Sequence, residues 1–464
     1  MQQTIDRIFD LQLKKHPEIR VSTADQRITR LQKLKTAIFE KRSDLEKALY
    51  ADLRRGPSET ALTELYPVTS EIKHAAGGLK EWMKPVRVKN PLTFVGARGE
   101  VIFEPKGVVL ILAPWNFPFQ LAIGPLVSAI AAGNCVMLKP SEISENTSHF
   151  IRDLISSTFP EDEVAVVEGG PDVSQMLLEK PFHHIFFTGS SAVGKIVMQA
   201  AAKHLASVTL ELGGKSPVIL HDSCDVKDAA RKIVWGKLLN AGQLCIAPDY
   251  VLVPETKQAE FVEQAKAAMA EFYGKPESSP DYCRIISDRH FKRLRNLIDE
   301  AVTRGARIEV GGATEDASRY IAPTILTHVP QDAGIMKEEI FGPVLPVLTY
   351  HELSEAISMI NSGEKPLALY IFSKSKAATE TLLAGTSAGG TCINDVVVQY
   401  VNLELPFGGV NFSGFGNSHG FYGFRAFSHQ RAVLRQPKRG AMQLLYPPYT
   451  DRVKKMIELT IKWF

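Results

Sequence analysis

Apolar positions near the start of the chain recur at helical intervals, Ile5-Ile8-Phe9 and then Leu31-Leu34-Ala37-Ile38, with Lys, Arg and Glu between them. That spacing puts the apolar side chains on one face, so residues up to about Lys84 are predicted to form covering helices. Over 86–104 the pattern changes to short β-prone pieces around turns, VRVKNPLTFVGARGEVIFE, which predict a hairpin long enough to reach beyond its own domain. A rhythm of strand and helix follows, with strands at 108–112, 135–139, 164–168 and 185–187 and helices at 124–132, 149–157 and 191–205. Such alternation predicts a parallel sheet covered on both faces, whose ligands bind at the carboxyl ends of the strands. Asn116, Lys139 and Gly189 fall in that zone. A second series, with helices at 256–272, 288–304 and 352–361 and a strand at 345–349, predicts a second α/β domain.

The stretch 107–138 carries no Asp, Glu, Lys, Arg or His and exceeds the roughly 20 residues that a transmembrane helix needs. Pro114, Pro118 and Pro125 would break its hydrogen-bond ladder, so it is divided into strand, loop, buried helix and strand. In the tail, 451–464, Val453, Met456, Ile457, Ile461 and Phe464 form one stripe with Arg452, Lys454 and Lys455 beside it. The segment is too short to span a bilayer, and docking on protein is expected ahead of peripheral membrane contact.

With 54 basic and 51 acidic residues among 464, the net charge is +3, which gives no field to recruit nucleic acid or membrane. Small-molecule recognition is the expectation. The five cysteines, Cys135, Cys224, Cys245, Cys283 and Cys392, are widely spaced and form no zinc-ligand pattern, so no metal site is implied. An N-terminus with scattered charges lacks the apolar core of a signal peptide, and a reducing, cytoplasmic setting is expected.

Chemistry centres on Asn240-Ala-Gly-Gln-Leu-Cys245. A helix with Val226, Ala229, Ala230, Ile233, Val234 and Leu238 at helical spacing ends near Gly242, Pro248 bars another turn, and 250–254 reads as a strand, so the thiol sits on a fixed loop. Locally, Cys245 is either a reactive thiol or an inert buried one. Gly189-Ser-Ser-Ala-Val-Gly194-Lys195 opens a helix after a strand, which suits phosphate or is a packing turn. Ile196 stands where a P-loop needs Ser or Thr, which excludes ATP or GTP hydrolysis. Lys139-Pro-Ser-Glu142 offers a carboxylate for ribose hydroxyls, or a helix cap through Ser141. Glu211, between Leu210 and Leu212, is either a buried base or a partner of Lys215.

Together Pro114-Trp-Asn-Phe-Pro118, Lys139-Pro-Ser-Glu142, Phe187-Thr-Gly-Ser190, Leu210-Glu-Leu-Gly-Gly-Lys215, Gly242-Gln-Leu-Cys245, Glu339-Ile-Phe-Gly-Pro343 and Pro406-Phe-Gly-Gly409 resemble the aldehyde dehydrogenase superfamily, in its order. The continuation to Tyr250 and the segment 428–431 resemble its class 3 branch of fatty and aromatic aldehyde enzymes. The resemblance implies an α/β fold of two parallel-sheet domains with a protruding oligomerisation hairpin. Residues 1–84 with 105–212 would bind NAD, 213–427 would be catalytic, 85–104 with 428–440 would bridge subunits, and 441–464 would be a tail helix.

By the same resemblance Cys245 is the nucleophile, Glu211 the base, and Asn116 with the Cys245 N–H the oxyanion hole. Lys139 and Glu142 would hold the adenine-side ribose, Gly189, Ser190, Val193 and Gly194 would pass the pyrophosphate, and Glu339 and Phe341 would position the nicotinamide end. Phe117 and Val396 to Val398 would line a channel for an apolar aldehyde, and 86–104 would pair with a late strand near 432–436 in a homodimer. NAD is the expected cofactor, with NADP tolerated. Leu244 stands where members often carry Thr, and Ser190-Ser191 where class 3 relatives often carry Asn-Thr. An acyl-transfer reductase of the same fold is the alternative enzyme, disfavoured by Glu211, which such relatives typically lack. A non-catalytic descendant is disfavoured by Cys245, Glu211 and Asn116 together.

Overall fold

The computed structural model describes residues 1–438 and 440–463; Arg439 and Phe464, which fall in the bridging segment and the tail stripe, lie outside the described residues. Helices Gln2–Arg20, Ala24–Glu40, Arg42–Leu53 and Tyr66–Trp82 fill the N-terminal stretch, and Ile5, Ile8, Phe9, Leu31, Leu34 and Ile38 are buried as the periodicity predicts.

A six-stranded sheet runs in the order Gly414–Phe415, Ser207–Glu211, His184–Thr188, Val108–Leu112, Cys135–Lys139, Val164–Val166. All its pairs are parallel except the first, where Gly414 lies opposite Glu211 in antiparallel register. Every residue of Val108–Leu112, Cys135–Lys139 and His184–Thr188 is buried, which explains why these strands read as unbroken apolar runs. The helix predicted from 124 begins at Gln120, because the buried Glu64 carboxylate accepts the Gln120 N–H at 2.6 Å and supports an extra turn. Helix Pro171–Leu178 was not predicted.

The second sheet has seven strands, Arg307–Val310, Thr324–Thr327, Val344–Tyr350, Tyr250–Pro254, Pro217–Leu220, Ala368–Phe372 and Gly390–Ile393 in that order, with Arg307–Val310 antiparallel to the rest. Each nominally parallel sheet therefore ends in one antiparallel strand. The edge strands Arg307–Val310 and Gly390–Ile393 are partly exposed, so they lack the apolar run that marks an interior strand. The chain crosses between the sheets over only residues 212–216, which sets the carboxyl end of Ser207–Glu211 beside the second sheet.

Strand Arg98–Pro105 pairs with Val86–Val88 on one side and Ser428–Arg435 on the other, all antiparallel. The late strand starts four residues before the predicted 432, held by Arg431 to Glu104 at 3.0 Å and Arg435 to Glu100 at 2.9 Å. Val86 and Val88 stay about half exposed on the open edge. The tail helix Asp451–Trp463 packs against the turn Ala441–Leu445, and its Val453, Met456 and Ile457 are half-buried. Ile461, predicted on the same stripe, is instead 72% exposed. Among the described residues no helix is long and apolar enough to cross a membrane.

Candidate active site

Helix Val226–Leu238 is capped by the Asp225 carboxylate, which accepts the Asp228 N–H at 3.1 Å, and it delivers the chain into a sharp turn. Asn240 and Ala241 both take φ of 51°, and Gly242 takes φ of 75°. Non-glycine residues in this region cost on the order of 1–3 kcal/mol each, so the turn must be held by its surroundings. Asn240 donates its side-chain amide to the carbonyls of Asn116 at 2.9 Å and Gln243 at 3.1 Å. Gln243 in turn donates to the carbonyls of Asn240 at 2.9 Å and Arg284 at 3.1 Å, and accepts the Ile286 N–H at 3.0 Å. At about 1 kcal/mol net per bond, this buried network offsets the strain and fixes the loop that presents Cys245.

Asn116 comes from the loop after Val108–Leu112. Its carbonyl is gripped by the Arg55 guanidinium at 2.6 Å, and Arg55 is itself fully buried and ion-paired to Glu64. The Asn116 side-chain amide donates to the Gln243 carbonyl at 3.2 Å, two residues before Cys245. Glu211 ends the strand Ser207–Glu211, and its main-chain carbonyl accepts the Gly189 N–H at 3.0 Å. Its carboxylate is 4% exposed with neither oxygen hydrogen-bonded. Burial pushes its pKa up to about 8. Ser418, the nearby group that works against that shift, directs its hydroxyl to the Phe407 carbonyl at 3.4 Å.

Cys245 is half-buried and lines two spaces. One, of about 30 Å³, is shared with Glu211 and lined by Gln120, Tyr400 and His419. The other, of about 110 Å³, is apolar and runs past Tyr66, Phe117, Trp235, Val397 and Val398. Burial, then the charges of Glu339 and Glu211, push the thiol pKa up, while the N–H groups of Cys245 and Ile246 pull it down.

A larger cleft of about 600 Å³ lies between the sheets, lined among others by Ser191, Gly213, Lys215, Lys337, Glu339 and Phe412. Lys215 does not pair with Glu211. It pairs with Asp249 and donates to the carbonyls of Ile335 at 2.8 Å and Glu338 at 3.0 Å, while Asp249 accepts the Ile340 N–H at 2.9 Å. These bonds, with Arg293 to the Glu339 carbonyl at 3.2 Å, carry Glu339 to the cleft. A Cβ on Gly213 would stand 2.3 Å from a Glu339 oxygen, so the bare glycine leaves room for the carboxylate in this position. Glu339 keeps Oε1 unpartnered, and burial with Asp249 raises its pKa.

Residues 1–433 match the aldehyde dehydrogenase family. The chain belongs to that family. Among curated relatives, aldehyde dehydrogenase family 3 member A2 of Rattus norvegicus is 44% identical over 428 residues, covering 92% of this chain and 87% of the relative. The substrate-bound state of Staphylococcus aureus AldH superposes with a TM-score of 0.95 at 41% identity, covering 98% of this chain and 99% of that one. A further solved structure, PnpE in complex with nicotinamide adenine dinucleotide, gives a TM-score of 0.86 at 26% identity, covering 94% and 91%.

In this aldehyde dehydrogenase, Cys245 and Glu211 line one cavity and the Asn116 amide is bonded two residues from Cys245, whereas the expected cofactor residues are more dispersed. Glu339 lines the large cleft, and Phe341, at φ of 51°, lies edge-on to Trp115 at 5.4 Å. Lys139, the last residue of its strand, pairs with Glu142 at 2.7 Å. The helix cap considered for Ser141 is supplied instead by Asp52, which accepts the N–H groups of Asn146 at 3.1 Å and Thr147 at 2.8 Å. Ser190 caps helix Ser191–Lys203 by accepting the Val193 N–H at 3.4 Å, with Val193 exposed and Gly194 packed on Leu212. Gly189 sits against the Phe187 ring. Val396 is not a channel residue; it is fully buried and packs on Gly236. Sequence reasoning missed Arg55, Glu64 and Asp249, which act on the distant Asn116, Gln120 and Ile340.

Proposed function

We propose that this aldehyde dehydrogenase oxidises an apolar aldehyde to the carboxylic acid with NAD, through a thiohemiacetal and then a thioester on Cys245. The observation that carries this reading is that Cys245 stands where an apolar channel and the Glu211 cavity meet. The aldehyde enters past Phe117, Val397 and Val398, and the Cys245 thiolate attacks its carbonyl carbon. The Asn116 amide and the Cys245 N–H receive the negative oxygen, which requires the amide to exchange its bond to Gln243 for one to substrate. A bound dinucleotide would supply the hydride acceptor needed to convert the thiohemiacetal into a thioester. Glu211 then takes a proton from the water that attacks the acyl carbon, and the thiolate leaves. A raised pKa suits a base that must both take and release a proton near neutrality.

The residues fit a dinucleotide. Glu339 offers an unpartnered oxygen to the cleft for ribose hydroxyls beside the bare Gly213, with Phe341 next to it. Gly189, Ser190, Val193 and Gly194 surround the opening of helix Ser191–Lys203, whose N-terminal end would meet the pyrophosphate, and Lys139 with Glu142 would meet the adenine-side ribose. We assign dinucleotide binding to 1–84 with 105–212 and catalysis to 213–427. Strand Val86–Val88 is paired on one side only among the described residues, and its half-exposed outer edge suits a second subunit, so 85–104 with 428–440 form the dimer ribbon. The tail helix docks on protein through its apolar stripe.

The test is NADH formation with a chain-length series of aliphatic and aromatic aldehydes, run alongside limiting iodoacetamide with adduct mapping. Activity should rise with apolar chain length until the channel is filled and should fall in step with alkylation of Cys245. Loss of activity with Cys245 unmodified would remove it as nucleophile.

A further inference from the structure

We propose that Glu71 exchanges protons and water between solvent and Glu211 during thioester hydrolysis, through two small buried cavities that share Gln120, Tyr400 and His419; this rests on Glu211 acting as the hydrolytic base. Two small cavities share Gln120, Gly124, Tyr400 and His419. The outer one holds Glu71 and is bounded by Ser70 and by Val401, which is 40% exposed, so it lies next to the surface. The inner one holds Glu211, Thr188 and Cys245. Their volumes, about 20 and 30 Å³, each exceed the roughly 10–15 Å³ that a cavity needs to hold one water.

Polar atoms along this route lack protein partners: Oε2 of Glu71, Nδ1 of His419, Oγ1 of Thr188 and both oxygens of Glu211. Glu71, Thr188 and Glu211 are only 4%, 8% and 4% exposed. Unpartnered groups of this kind are what bridging water satisfies. Glu71 makes no ion pair among the described residues; its other oxygen accepts the Gly420 N–H at 2.8 Å. Burial raises its pKa to about 7, against the opposing Gly420 N–H and the Ser128 hydroxyl, and Ser128 itself lines the inner cavity. Gln120 and Tyr400, bonded to each other, also line the apolar channel and so stand between it and the two cavities.

The route answers a need that the channel does not meet. With the aldehyde's apolar chain in the channel, water has to reach the thioester another way, and the proton taken by Glu211 has to leave before the next turnover. In the hydrolytic step the water oxygen bonds to the acyl carbon, the C–S bond breaks and Glu211 gains the proton. Relay through water to Glu71 and then to solvent returns Glu211 to its basic form.

p-Nitrophenyl acetate acylates a thiol without any cofactor, so deacylation can be read alone. Glu71→Gln keeps an acceptor for the Gly420 N–H. It should give a full burst of p-nitrophenol and then turnover slowed on the order of 10²-fold, the lower range for a positioned proton-transfer group. The acetyl adduct on Cys245 should appear by intact mass, added formate should restore part of the rate, and Glu71→Asp should stay near the parent. Unchanged turnover in Glu71→Gln, with Glu211→Gln trapping the adduct, would overturn the relay while leaving the base assignment standing. Parent-like turnover in Glu211→Gln would overturn both. A lost burst, or slow turnover that formate leaves unmoved, would make Glu71 structural and would also overturn the relay.

Discussion

The side-chain amide of Asn116 donates to the main-chain carbonyl of Gln243 across 3.2 Å, so the loop following a strand of one sheet is tied directly to the cysteine loop beside the other. The bond holds the amide two residues from Cys245, and in the proposed mechanism it turns from there toward the oxyanion. Asn116→Ala removes that donor while Arg55 still grips the main chain at residue 116. It should lower kcat by roughly 10²–10³-fold with a smaller change in KM, as loss of one oxyanion donor does. Steady-state kinetics on one aldehyde checks this, and an unchanged kcat would exclude the Asn116 amide from the hole.

Glu211→Gln preserves size and loses basicity. With NAD and aldehyde it should release up to one equivalent of NADH per site and then stall, with the acyl adduct on Cys245 visible by mass. In the parent, deacylation should rise with pH through about 8, where the buried carboxyl ionises. The same shift has a stability consequence. A carboxyl whose folded pKa is raised above its unfolded value costs stability above the unfolded pKa, with the cost complete above the folded one. Glu211→Gln should therefore melt higher than the parent at pH 8, with the difference vanishing below about pH 4.5. Parent-like turnover of the variant would shift attention to Glu338 and Glu339.

Gly242→Ala tests the turn that presents the thiol. At φ of 75° a side chain is strained, and its Cβ would stand 2.2 Å from the Gly342 carbonyl oxygen. The left-handed conformation alone costs roughly 1–3 kcal/mol, and the clash adds to it. Thermal melting and active-site titration with iodoacetamide should both fall. A variant that melts and titrates like the parent would show that the 242 and 342 segments need not touch.

Cofactor choice should respond to Glu142. Its carboxylate repels a 2′-phosphate, while Lys139, at 2.7 Å, offsets part of that repulsion, so the parent should use NAD and tolerate NADP. Glu142→Gln should raise kcat/KM for NADP relative to NAD by about fivefold or less, since a partly exposed charge contact is worth up to ~1 kcal/mol. Strict NADP preference in the parent would place Glu142 away from the ribose.

Local pattern along the chain was enough to define much of this protein. Apolar periodicity marked the N-terminal helices and the interior strands, prolines excluded a membrane span from 107–138, and ordered motifs around Asn116, Glu211 and Cys245 pointed to the family and the candidate site. These features are legible because a strand buried on both faces must be apolar throughout, and a helix face must repeat every three or four residues. Tertiary structure alone decided what pattern cannot carry. Asp52 caps a helix 94 residues away, Glu64 extends the helix at Gln120 from 56 residues away, and Asp249 rather than Glu211 takes Lys215. The antiparallel edge strands, the exclusion of Val396 from the channel and the shared cavities of Glu71 and Glu211 belong to the same class. In each case a one-dimensional sequence specifies which face must be buried, whereas the group that meets it there is chosen by packing between segments far apart in the chain.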